Sequence, residues 1–260
     1  TGKDKITLEF WLDHDDLGEV NDPAYIVPFS ANPVPEVDFE GVPIPVRLDE
    51  RLLSYFPRAQ ATGALMLDLG CGACLHRQVC EQAGFTHVGL DLRAPEAPLW
   101  GDAHVLPFAD NSFEFILSIA VLEHLRYPFL GLREAWRVLK PGGRLVGTVA
   151  FLEPFHDSSY YHHTHLGLHN ALRSSGFEIK VFGPNADWLA LRALAEMILF
   201  PKLPLVLSRV LVKPLDWLHR LWWQLGERVT KFRGAQESIR LTSTAGSFSF
   251  VVEKPKEAEK

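Results

Sequence analysis

The sequence predicts an α/β fold: a doubly wound, mostly parallel sheet with an N-terminal cap and a helical insertion before the last strand. Two observations carry this. From Ala64 onward, short apolar runs alternate with helical patterns, which is how strands and crossover helices read. One of those runs, Leu65-Met66-Leu67-Asp68-Leu69, passes straight into a Gly70-Cys71-Gly72 turn. The chain has 260 residues, 47% hydrophobic and 22% charged, so it can bury a large core and is neither disordered nor of low complexity.

The first sixty residues are acidic and broken by prolines such as Pro28, Pro33, Pro35, Pro43 and Pro45, which leaves little room for regular structure. A short helix is expected over Asp49–Phe56, stopped by Pro57. Residues 1–60 therefore read as a cap, 61–183 plus 241–254 as the core, and 184–240 as an insertion. Strands are predicted at Leu65–Leu69, His87–Leu90, Phe113–Ser118, Gly143–Ala150, Phe177–Phe182 and Ser247–Val252. Helices are predicted at His76–Ala83, near Val121–Leu125, at Leu130–Leu139 ended by Pro141-Gly142-Gly143, and at Leu166–Ser174.

A net charge of -6 argues against nucleic acid, whose binders match phosphates with Lys and Arg. The three cysteines, Cys71, Cys74 and Cys80, are an odd and clustered set, which fits a reducing cytoplasm rather than a disulfide framework. Cys71 and Cys74 form a C-x-x-C, but zinc would want further soft ligands and no fourth cysteine exists, so no metal is expected. No basic-plus-apolar leader is read at the N-terminus.

The glycine turn is a ligand-binding junction on physical grounds. Glycines admit close backbone approach, a following helix offers unpaired N–H groups, and ligands of parallel sheets sit at the strands' carboxyl ends. About 20 residues on, the next strand ends in Asp91, where a carboxylate can take ribose hydroxyls. Leu75 stands where a dinucleotide fingerprint has its third glycine, which disfavours a pyrophosphate cofactor such as NAD.

Four ordered motifs then resemble the class I S-adenosylmethionine-dependent methyltransferases. They are Asp68-x-Gly70-x-Gly72; Asp91; Gly101-Asp102-Ala103 with Leu106-Pro107-Phe108; and Glu134-Ala135-x-Arg137-Val138-Leu139-Lys140-Pro141-Gly142-Gly143. The resemblance spans Ala64 to Phe182 and the last strand, departing at Cys74, where the family often has glycine. It implies a seven-stranded Rossmann-like sheet with S-adenosylmethionine as cofactor. It also implies that Asp68, Gly70 and Gly72 hold the methionine part, Asp91 the ribose, and Asp102 with Ala103 the adenine. Leu92 would cover the base, and Ile119 would lie beside the cofactor. The implied reaction is methyl transfer, read here as O-methylation of a small-molecule, glycan or lipid-linked acceptor; the alternative is a non-catalytic methyltransferase-like interaction module.

A hydroxyl acceptor needs a base. The segment Glu153–His165 follows the Gly143–Ala150 strand and holds four of the eleven histidines. His156 is the first candidate base, His163 the second, and His124, after the strand ending at Ser118, the third. Metal binding by His156, His162, His163 and His165 is disfavoured because adjacent side chains point apart.

The insertion is basic: seven Lys and Arg against Asp216 and Glu227 between Met197 and Arg233. On a helical projection, Trp217, Leu221, Leu225, Leu218, Trp222 and Leu215 share one arc, opposite Asp216, His219, Arg220 and Glu227, with Trp223 on the polar side. No uncharged stretch approaches the roughly 18 residues of a membrane span. The arc is expected to pack on the core or form a homodimer face, or else to dip into a membrane surface as part of an active-site lid.

Overall fold

The computed structural model describes residues 26–256 apart from 46, 47, 49, 201 and 230–235. Residues 1–25 of the expected cap therefore lie outside the described residues. The chain runs α1 (Glu50–Leu53), β1 (Leu65–Leu69), α2 (Arg77–Gln82), β2 (Thr86–Asp91), β3 (Leu99–Trp100), β4 (Phe113–Ile119) and a 3₁₀ turn at Leu122–His124. It continues through α3 (Pro128–Val138), β5 (Leu139–Ala150), α4 (His165–Ser174), β6 (Glu178–Pro184) and α5 (Ala190–Leu194), then a π-type turn at Ala195–Leu199. The last elements are α6 (Leu205–Val229), α7 (Gln236–Ser243) and β7 (Ser247–Glu253).

The seven strands form one sheet in the order β3-β2-β1-β4-β5-β7-β6. Strands β1 to β5 are parallel, and β7 runs antiparallel between β5 and β6. Apolar residues of α3 and α4 (Leu132, Ala135, Leu168, Leu172) pack on one face of the sheet. Those of α1 and α2 (Leu52, Leu53, Val79, Cys80) pack on the other. The central strands are thus buried on both sides, which is why β1, β4 and β7 read as nearly continuous apolar runs.

Several elements depart from the sequence reading. The helix expected over Asp49–Phe56 is one turn, Glu50–Leu53. Strand β5 begins at Leu139 rather than Gly143, so Pro141-Gly142-Gly143 does not end the preceding helix. That helix stops at Val138, and the three residues form an irregular start to β5, where the register against β4 shifts. Strand β3 was not anticipated; its two residues, Leu99 and Trp100, are both exposed and carry no period to read. The region near Val121–Leu125 is a 3₁₀ turn.

Between β6 and β7 the insertion leaves and returns through a clasp: Leu189 bridges Ala245, and the Gly246 N–H donates to the Trp188 carbonyl. A Cβ at residue 246 would lie 2.6 Å from that carbonyl oxygen, so the clasp requires glycine there. No helix among the described residues is long and apolar enough to cross a membrane.

The described part of the cap is integral to the core. Phe56 is fully buried and meets Phe115 of β4 edge-on at 4.9 Å. Phe56→Ala should destabilise the chain by about 3–5 kcal/mol through the cavity it leaves. Urea unfolding measures this, and an unchanged midpoint would show that the cap is not part of the folded unit.

Candidate active site

At the carboxyl ends of β1 and β2 the chain must reverse. Gly70 does so with φ +68°, and a Cβ there would lie 2.6 Å from a methyl of Val121. The backbone of the β1 loop therefore rests on the loop after β4, a fit only glycine permits. Gly72 and Cys74 are also left-handed, with φ of 51° and 56°. Position 74, where the resembled family often has glycine, thus has the conformation that favours glycine. These turns delay the helix expected from His76: α2 begins at Arg77, after turns spanning 72–76.

Asp91 organises this loop from the end of β2. Its Oδ2 accepts the Gly72 N–H at 3.1 Å, and its Oδ1 accepts those of Arg93 and Ala94 at 2.9 Å each. Burial would raise its carboxyl, but these backbone donors hold it below the usual carboxylate range. Asp102 is half-exposed, and its Oδ1 accepts from the His104 backbone N–H at 2.9 Å and lies 2.5 Å from the His104 ring. The backbone N–H first, with the imidazole adding to it, keeps Asp102 ionised to lower pH than usual.

A cavity of about 750 Å³ opens between these loops. Its wall includes Gly70, Asp91, Leu92, Asp102, Ala103 and His124, six of the eleven residues singled out from the sequence. Gly72 reaches it only through Asp91, and Ile119, the last residue of β4, packs toward the core while its neighbour Ala120 lines the wall.

Asp68 is placed differently from the expectation. It is 1% exposed and outside the wall, with Oδ2 3.1 Å from His87 Nε2 and Oδ1 3.5 Å from His76 Nδ1. Its carboxylate ties β1 to β2 and to the start of α2, a contact that a linear motif does not show.

The fourth motif is a clamp. Arg137 of α3 donates to the carbonyls of Leu106 and Phe108 at 3.0 and 2.8 Å and to Asp110 at 2.7 Å. It also pairs with Glu134, whose Oε2 accepts the Leu106 N–H at 2.7 Å. Together they fix the 102–110 segment that carries Asp102 and Ala103.

Beyond Ala120 lies a second cavity of about 510 Å³, bounded by the insertion's Trp188, Arg192 and Arg209 and by Glu123 and Glu153. Ala120 belongs to both walls and has φ +55°, an uncommon conformation for a residue with a Cβ. The histidine segment folds across this junction. The N–H groups of Tyr160 and Tyr161 donate to the Glu123 carbonyl, and Asp157, Ser158 and Tyr160 close the first cavity.

Of the candidate bases His124 lines the first cavity, while His156 lines neither and stands behind the walls. Its Nδ1 lies 3.1 Å from the Pro154 carbonyl, which can only accept, so Nδ1 carries the proton and Nε2 the lone pair. Nε2 is buried with no hydrogen-bond partner among the described residues. Glu153 Oε1 stands 3.6 Å from Nδ1, and Glu153 is itself held by the Trp188 indole N–H at 2.5 Å. The His124 ring meets the His156 ring edge-on at 5.2 Å. His163 is buried and lines neither cavity, and burial lowers its pKa.

Glu123, fully buried, was not singled out from the sequence. It presents a carboxylate oxygen within 4.8 Å of ring nitrogens of His124 and His156. The expectation of no metal did not include this trio, because Glu123 and His156 come together only through the fold.

A family model described as a methyltransferase domain matches residues 67–147. The chain is 36% identical over 95 residues to demethylmenaquinone methyltransferase of Renibacterium salmoninarum, covering 32% of this chain and 40% of that protein. It is 31% identical over 121 residues to malonyl-[acyl-carrier protein] O-methyltransferase of Erwinia billingiae, covering 42% and 47%. The chain spans less than half the length of the curated relatives it matches. Among solved structures, the [4+2]-cyclase SpnF superposes with a TM-score of 0.51 at 19% identity, covering 77% of this chain and 78% of that one. A chain of the complex between the Haloferax volcanii Trm112 methyltransferase activator and a methyltransferase superposes with a TM-score of 0.50 at 19% identity, covering 78% and 87%. Residues 67–147 thus match a methyltransferase domain, and the curated relatives that share this stretch are named as methyltransferases.

The Asp68 geometry sets a pH dependence. Burial works to raise its pKa, but the nearby His76 imidazole and the His87 hydrogen bond outweigh it, so the folded value lies below the unfolded one. Asp68 thus contributes stability above the unfolded carboxylate pKa of about 3.9, and that contribution is lost as pH falls through the folded value. Asp68→Asn should flatten the fall in melting temperature below about pH 4, read by thermal unfolding across pH; parallel profiles would remove Asp68 from the acid transition.

Proposed function

We propose that the chain transfers a methyl group from S-adenosylmethionine to a hydroxyl oxygen of a small-molecule, glycan or lipid-linked acceptor. The observation that carries this reading is the pair of cavities meeting at Ala120, with His124 on the first, Glu123 on the second, and a ring nitrogen of His156 behind the walls within 4.8 Å of polar atoms of both residues. The fold alone is insufficient, since a [4+2]-cyclase shares it.

In this reading Asp91 takes the ribose hydroxyls, while Asp102 and Ala103, with Leu92, hold the adenine. Gly70 and Gly72 give the methionine part its approach, and Asp68 is a positioning residue. The cofactor supplies a methyl group on a sulfonium, so the chain's task is alignment and proton removal. His156 Nε2 accepts the acceptor's hydroxyl proton, and Glu153 stabilises the imidazolium that forms. Trp188 fixes Glu153, which makes the base of the insertion part of the acceptor site. His124 forms the wall between cofactor and base, and His163 supports the 3₁₀ turn.

A second reading rests on the Glu123, His124 and His156 trio: a divalent cation there would polarise the acceptor oxygen directly. Dialysis against EDTA followed by metal analysis separates the two, since loss of a bound metal together with activity favours the cation. The non-catalytic alternative fails if the chain binds cofactor with ordinary affinity and turns over.

Titration calorimetry with S-adenosylmethionine and S-adenosylhomocysteine is the direct test. Asp91→Ala should weaken both by about 1.5–3 kcal/mol through lost charge-assisted bonds. Full affinity in that variant would displace the ribose from Asp91. His156→Ala should leave cofactor affinity intact and lower kcat by about a hundredfold or more; unaltered turnover on an accepted substrate would remove it from the reaction.

A further inference from the structure

Helix α6 is inside out for a helix of a water-soluble domain. Its half-buried side is Val212, Asp216, His219 and Trp223, where the Trp223 indole N–H donates to His219 Nε2 at 3.0 Å. The apolar arc points away from the protein: Trp217 is 61% and Trp222 74% exposed, with Val210, Leu211, Leu215 and Leu218 each half or more exposed beside them. The expectation that this arc packs on the core is therefore not met. Trp223, the aromatic off the pattern, is the one that packs inward.

What covers such a face can be argued from its width and its edges. A helix pairing with a second copy uses a narrow seam of two positions in seven. Here, at 100° per residue, Val206 to Leu215 span about 180° of the circumference. That half-cylinder runs from Val206 to Leu225, about 30 Å of helix. One edge of it carries Lys213 together with Arg209 and Arg220, which pair with Glu196 and Asp216, in a segment with seven basic residues against two acids within a chain of net charge -6. A broad apolar face with tryptophans, rimmed by cations and too charged to cross, matches the headgroup boundary of an anionic bilayer.

We propose that the outward face of α6 docks on an anionic lipid surface, with Trp217 and Trp222 at the headgroup level. Vesicle binding needs neither cofactor nor acceptor, so this inference and the methyl-transfer reading fail separately. If both hold, the second cavity, which Arg209 of the same helix helps to line, faces acceptors held at a membrane.

The test is sedimentation of the 260-residue chain with vesicles of phosphatidylcholine alone and with about 30% phosphatidylglycerol added. Binding should require the anionic lipid and weaken as salt rises past about 0.15 M. Trp217→Ala and Trp222→Ala should each lower the partition coefficient by about tenfold. Leu218→Glu, a substitution on an exposed surface, should abolish binding while far-UV circular dichroism and melting temperature stay unchanged. The proposal is overturned if the folded chain ignores anionic vesicles, binds neutral ones equally well, or forms a dimer that Leu218→Glu dissociates and vesicles do not.

Discussion

The contact between Gly70 and Val121 sets the geometry on which the site depends. It joins the loop after β1 to the loop after β4 at the point where the strand order reverses, so one loop turns toward β2 and the other toward β5. Crevices in open parallel sheets form at such reversals. Here the crevice is narrow at its floor because a glycine Cα rests on a valine side chain. Asp91 draws Gly72 in from one flank, and the Arg137 clamp holds Asp102 from the other.

The mostly parallel sheet and most element boundaries were legible in the sequence because the core strands are buried on both faces. Leu65–Leu69 and Phe113–Ile119 carry apolar side chains wherever they touch helices, and helix-forming segments between them show a separate period. The irregular start of β5 was not legible, because Pro141-Gly142-Gly143 locally spells a helix stop and only pairing across to Phe113 makes it a strand. Strand β3 has no inward face to leave a pattern.

The wall of the first cavity was legible in the sequence and the surroundings of the second poorly so, for one physical reason. Glycine turns and acids at strand ends act locally, so a linear motif records them. The region of the second cavity is assembled from distant pieces: Glu123 after β4, Glu153 and His156 after β5, and Trp188 after β6. Asp68 illustrates the converse. It sits in a motif, yet its partners His76 and His87 are found only in three dimensions, and they turn it inward. The insertion's amphipathic pattern was visible, but the pattern does not say which side faces the protein.

The clasp at Leu189, Ala245 and Gly246 closes the β6–β7 hairpin before the excursion begins. Beyond that knot, the length and sequence of the excursion have no bearing on strand register. The outward side of α6 can therefore change without disturbing the sheet, while Ala193 and Arg240, buried at the foot of the excursion, keep that foot tied to the core.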